Sequence, residues 1–141
     1  MEDVLTIRII EKDMIMDMNQ VTIGARDFDA SVAFYRKLGL KLIVLAAGRY
    51  ARFELPSGSS TLSLHYDEKH QPGDTLLYFE VDDVDARHAE LKRAGIEFES
   101  EPRDERWNWR EARFADPSGN RLCLFHAGAD RRFPPWRLDP A

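Results

Sequence analysis

A single cysteine, Cys123, in 141 residues leaves no partner for an intramolecular disulfide and excludes any paired-cysteine zinc or redox site, which agrees with a reducing compartment. No run approaches the ~18 apolar residues that a membrane-spanning helix needs, so no membrane partner is expected. The first residues, Met1 to Asp13, open with two acids and lack the basic region, apolar core and small-residue cleavage site of a secretory signal; the cytoplasm is the expected location. Basic charge is in deficit, with 20 Lys and Arg against 25 Asp and Glu. A net charge of −5 offers no basic face to phosphates, so nucleic acid is not an expected partner. The Arg-rich stretch Arg103 to Arg113 is interrupted by Asp104, Glu105 and Glu111 and reads as a solvated loop of mixed ion pairs. GxGxxG, Walker, HExxH and GxSxG motifs are missing, which removes support for nucleotide, zincin and serine-hydrolase readings.

What the chain does have is a duplication. Ala25 to Leu42 lies over Val81 to Phe98 without a gap, with Asp27/Asp83, Asp29/Asp85, Ala30/Ala86, Ala33/Ala89 and Gly39/Gly95 identical. Pro56-Ser57-Gly58 answers Pro117-Ser118-Gly119, and Leu62-Ser63-Leu64 answers Leu122-Cys123-Leu124. Repeats of this kind bring equivalent side chains together about a pseudo-twofold axis.

Each repeat reads as βαβββ. In the first, alternation predicts strands over Gln20 to Ala25, Lys41 to Leu45, Arg49 to Leu55 and Thr61 to Tyr66, with a helix capped by Asp29 and ended by Gly39. Val32, Phe34, Tyr35 and Leu38 form its buried side. In the second, strands fall at Thr75 to Val81, Glu97 to Glu99, Arg110 to Ala115 and Arg121 to His126, with a helix from Asp85 to Ala94. The expected division is an accessory strand or arm over residues 1–18, a first module over 19–66, a polar linker over 67–74, a second module over 75–126 and an extended tail over 127–141. The fold class is α+β, two tandem βαβββ modules, each a curved mixed sheet with one helix on its outer face. One helix covers only one face of a four-stranded sheet, so the other face is a cavity wall or an interface.

Strand parity sorts the side chains between those faces. Val21, Ile23, Leu62, Leu64, Leu77, Phe79, Leu122 and Leu124 belong under the helices. The opposite parity gives Gln20, Thr22, Gly24, Ser63, His65, Leu76, Tyr78, Glu80, Cys123 and Phe125, a mixture that calls for water, a ligand or a polar interface in front of the sheet. Tyr50, Arg52 and Glu54 alternate on the third strand and extend this polar wall.

The segments NQVTIGARDFDASVAFYRKLGL, FEVDDVDARHAELKRAGIEF and RFADPSGNRLCLF resemble the vicinal oxygen chelate superfamily, which includes glyoxalase I, extradiol dioxygenases, and fosfomycin- and bleomycin-resistance proteins. The resemblance covers Asn19 to about His126 and implies a cup-shaped site. Enzymes of that family hold a divalent metal at four positions, which here are Gln20, Ser63, Leu76 and Cys123. Only Gln20 fits the pattern, so no metal cofactor is expected. The alternative is a displaced site for one divalent ion such as Zn, Ni, Fe or Mn, using Gln20, His65 and Glu80 with Cys123. The loop holding Trp107 and Trp109 resembles the tryptophan-containing loop of bleomycin-resistance proteins; if extended, it points both rings the same way.

The leading expectation is therefore metal-independent binding of a small hydrophobic or aromatic molecule, in a pocket made by Gln20, Thr22, Ser63, His65, Leu76, Tyr78, Glu80, Trp107, Trp109, Cys123 and Phe125. The alternatives are a metal-dependent lyase, isomerase or extradiol dioxygenase, and a structural or regulatory dimer without a substrate. A homodimer is expected in all three, as the resemblance implies.

Overall fold

Alternating β-prone residues at Gln20–Ala25 form strand β1, and the next segment, with apolar positions three and four apart, forms helix α1 (Phe28–Leu38). Strands β2 (Lys41–Ala46), β3 (Tyr50–Glu54) and β4 (Thr61–Tyr66) complete the first module. The second repeats the order with β5 (Leu76–Glu80), α2 (Val84–Arg93), β6 (Arg103–Asp104), β7 (Arg110–Ala115) and β8 (Arg121–His126). This computed structural model describes residues 14–138. Its two four-stranded sheets have the orders β1-β4-β3-β2 and β5-β8-β7-β6. In each, the first and last strands pair in parallel and the other pairs are antiparallel. Tandem βαβββ modules are thus the observed architecture.

Local details depart from the sequence reading where two similar residues compete. Both helices begin earlier than expected. Asp83, not Asp85, caps α2 by accepting from the Ala86 N–H at 3.0 Å, while Asp85 turns to Arg110. Asp29 lies inside the first turn of α1, where its charge still faces the positive end of the helix dipole. Gly39 takes the left-handed conformation expected of it, at φ 109°. The strand expected at Glu97 to Glu99 reduces to one bridge between Phe98 and Phe114. Pro102 has no N–H to donate, and the ladder resumes only after it, at β6.

The apolar alternation expected of the N-terminal arm, Val4 to Ile10, lies outside the described residues, and residues 14–19 form no strand. After β8 the described part of the tail, residues 127–138, is not the extended segment expected. It forms a short 3₁₀ turn at Gly128–Asp130, then further turns in which the Arg137 guanidinium sits 4.4 Å from the Phe133 ring centre.

The helix-side faces of both sheets share one core. Leu62, Leu64 and Phe53 from the first sheet join Leu122, Leu124 and Phe114 from the second, with Tyr35 and Leu38 from α1 and Val84 and Leu91 from α2. A polar clasp crosses this junction. The fully buried Tyr35 donates its hydroxyl to Asp116 at 2.7 Å, and Asp116 also accepts from the Ser118 and Asn120 N–H groups and the Asn120 side chain. Ser118 in turn accepts from the Arg26 N–H at the start of α1. What the modules share is therefore the apolar parity set. The mixed set lies on the far side of each sheet, giving two separate outer faces.

Candidate functional site

The outer face of the first sheet is a chain of hydrogen bonds. β1 and β4 pair in register, placing Thr22 beside Ser63 and Gly24 beside His65, and β3 places Arg52 opposite Ser63. Gln20 donates its amide to the Ser63 hydroxyl at 2.8 Å and accepts from Thr61. Ser63, fully buried, lies 2.6 Å from the Tyr50 hydroxyl, which also accepts from Arg52 Nε at 2.9 Å. The hydrogen bond with Ser63, and then the bond and charge of Arg52, hold the Tyr50 pKa below its ordinary value. Thr22 accepts from Gln20, and His65 is exposed beside Gly24 and Tyr50.

The outer face of the second sheet is aromatic. Tyr78 on β5 meets Trp109 and Phe125 edge-on, at 5.6 and 5.3 Å between ring centres, while Trp109 and Phe125 lie 4.9 Å apart. Tyr78 is 43% exposed and Trp109 is partly exposed, while Phe125 beneath them is buried, so only the outer two rings of this cluster face outward. Leu76 packs beside it with Cys123. Under the rings lies a carboxylate the sequence reading assigned elsewhere. Glu111, only 2% exposed, accepts from Trp107 Nε1 at 2.8 Å and from Arg113 at 3.3 Å, and receives the Cys123 thiol at 3.5 Å. The signal for it was available: on β7, Glu111 and Arg113 pair with Phe125 and Cys123 and share their parity.

Burial, reinforced by the Glu111 carboxylate, pushes the Cys123 thiol up to about 12, so it stays a protonated thiol at neutral pH. Burial, then the same carboxylate, also raises the Tyr78 pKa. Both tryptophans reach this face, though not by the extended loop anticipated. A tight turn closed by Glu105 and Trp109 carries them, with Asn108 at φ 68° between.

Other expected site residues separate. Glu80 is taken up at the rim, where its carboxylate accepts from the Ala127 and Gly128 N–H groups at 2.7 and 2.9 Å. Among the described residues no three His, Cys, Asp or Glu side chains converge in a way that could hold a metal ion. Nor, among them, does any hydrogen bond or ring contact join the Gln20–Ser63–Tyr50–Arg52 face to the Tyr78–Trp109–Phe125 face.

Comparison with known proteins places this geometry. The model of a family described as the Glyoxalase/Bleomycin resistance protein/Dioxygenase superfamily matches residues 17–124. The uncharacterized protein YraH of Bacillus subtilis (strain 168) is 32% identical over 125 residues, covering 78% of this chain and 98% of its own. Among solved structures, a bleomycin-binding protein complexed with bleomycin superposes with a TM-score of 0.64 at 22% identity, covering 79% of this chain and 98% of that one. A lactoylglutathione lyase from Agrobacterium tumefaciens gives 0.67 at 22% identity, with coverage of 80% and 95%.

Proposed function

Because the chain belongs to the glyoxalase/bleomycin resistance protein/dioxygenase superfamily, a family whose chemistry varies on one fold, we propose that it binds a small aromatic or hydrophobic molecule directly, without a metal ion. The observation that carries this reading is the partly exposed ring pair of Tyr78 and Trp109, seated on the buried Phe125 ring. Aromatic faces stack on flat or cationic ligands. A protein of the same fold is known as a complex with bleomycin, a precedent for ligand capture by this architecture.

The donor chemistry supports the metal-independent form. Of the four positions where the family's enzymes place ligands, Leu76 has no donor atom and Ser63 offers a neutral hydroxyl already bonded to Gln20 and Tyr50. Cys123 is a buried thiol kept protonated by its surroundings. Such a set does not fit a divalent cation, which asks for three or four good donors.

We also propose a homodimer. Each outer sheet face points away from the shared core, so within one chain each lacks an opposing wall; a second copy supplies one. Light scattering at micromolar concentration tests this, and a monomer would refute it.

The ligand reading is tested by thermal shift and tryptophan fluorescence with bleomycin and benzyltrimethylammonium as probes. A saturable signal weakened by Trp109→Ala supports it; identical binding in Trp109→Ala and Tyr78→Phe defeats the pocket assignment. Elemental analysis after expression with added Ni, Zn, Fe, Mn and Co addresses the metal. About one ion per chain with a chelator-sensitive melting point would favour the lyase or dioxygenase chemistry of the family.

A further inference from the structure

We propose that the outer face of the first sheet carries a site for the oxyanion of a small molecule, a carboxylate or a phosphonate or phosphate group, held by Arg52 and Tyr50. This rests on the reading of the outer sheet faces as ligand sites and adds the charge of the group bound there.

The argument is one of hydrogen-bond direction. Thr61 donates to Gln20 Oε1, which fixes the amide so that Gln20 Nε2 donates to Ser63 Oγ at 2.8 Å. The Ser63 proton then needs an acceptor. Among the described residues only Tyr50 Oη, at 2.6 Å, offers one. Arg52 Nε donates to the same oxygen at 2.9 Å. Tyr50 Oη thus accepts twice, both its lone pairs are engaged, and its own O–H is left free for a further acceptor on the outer face.

Arg52 is similarly left with donors only. With Nε engaged by Tyr50, its two Nη groups have no hydrogen-bond or ion-pair partner among the described residues, although Glu54 lies on the same face two positions along β3. Its guanidinium is steadied over the Tyr50 ring at 5.5 Å. The result is a fixed fork of Nη donors next to a hydroxyl donor, backed by a fully buried serine, opposite the middle of β4. A carbonyl satisfies one such donor; an oxyanion satisfies several and answers the unpaired positive charge. The lowered Tyr50 pKa agrees with donors converging on that oxygen.

The test uses the full-length protein labelled with ¹⁵N, following the Arg52 Nε–H signal, assigned by its loss in Arg52→Gln. The probes are benzoate, phenylphosphonate, inorganic phosphate and the neutral isostere benzamide. A saturable shift of the Arg52 signal is expected with benzoate or phenylphosphonate, about tenfold weaker with benzamide, and affinity falls about tenfold in Arg52→Gln and several-fold in Tyr50→Phe. Inorganic phosphate alone acting as well as phenylphosphonate would show that the oxyanion suffices without an aromatic body. The inference is overturned if no anion moves the Arg52 signal up to about 20 mM, or if benzamide matches benzoate. Aromatic cations binding while anions leave Arg52 unmoved would sink this site and spare the proposed function. Anions acting on Arg52 while every aromatic cation fails to bind would do the reverse.

Discussion

Replacing Tyr35 by Phe removes one oxygen from the junction between the modules and leaves the ring in place against Phe53 and Phe34. The hydroxyl is fully buried and bonded to the Asp116 carboxylate at 2.7 Å, so no water can take its place. A hydrogen bond to a charged group contributes about 1.5–3 kcal/mol. Asp116 keeps three other donors, from Ser118 N, Asn120 N and Asn120 Nδ2, which places the expected loss near the middle of that range, about 2 kcal/mol. At an unfolding entropy of about 2.1 cal/mol/K per residue, a chain of this length loses about 7 °C in Tm. The assay is urea denaturation followed by tryptophan fluorescence, with calorimetry for Tm. Burial, then the Asp116 carboxylate, raises the Tyr35 pKa. The folded state therefore keeps a proton that the unfolded chain releases, and this contribution, whole below about pH 10, is lost as pH climbs beyond it at up to about 1.4 kcal/mol per unit. The Tyr35→Phe variant lacks that alkaline loss. A cost under about 0.5 kcal/mol with an unchanged denaturant slope would refute the clasp; a biphasic transition would show instead that it couples the modules.

The Cys123 thiol, pushed up to about 12 from its ordinary 9.0, makes a parallel contribution that begins to fade at lower pH. It is intact below pH 9 and falls as pH rises, so between pH 9 and 10, ahead of the tyrosines, wild type should lose about 1 kcal/mol more than Cys123→Ala; equal slopes in pH-dependent urea titrations would contradict the buried thiol. A side chain at Gly24 would overlap the His70 ring, which is held by Asn120 at 2.7 Å. Gly24→Ala should therefore cost about 1–3 kcal/mol in wild type and less than about 0.5 kcal/mol in a His70→Ala background; additive costs in a double-mutant cycle would rule out that contact. Ligand binding should fall in Trp109→Ala, and because this ring packs against Tyr78 and the buried Phe125 the melting temperature should fall as well; titration with bleomycin or benzyltrimethylammonium at a temperature where both proteins are folded checks the binding loss.

The duplication, the module type and the two faces of each sheet were legible in the sequence because period-two alternation and a repeated D-x-D-A helix start are local signals. Leu62 and Leu64 lie in the core, and Ser63 between them faces the other way. Where two local signals competed, the sequence could not choose. Asp83 and Asp85 are both good caps, and only the path of the chain out of β5 selected Asp83. Glu111 was hidden differently. In a stretch crowded with charges it read as one more solvated acid, and only pairing β7 with β8 set it beneath Trp107 and beside Cys123.

The sequence by itself determined which side chains share a face, because alternation along a strand is imposed by backbone geometry alone. Tertiary structure decided what those faces confront. Packing both helix-side faces into one core, with Tyr35 clasped to Asp116, leaves the mixed faces on the outer sides of the two sheets. That choice depends on how two modules dock, and docking is set by contacts between residues far apart in the chain, such as Tyr35 with Asp116 and Gly24 with Asn120, which no local pattern records.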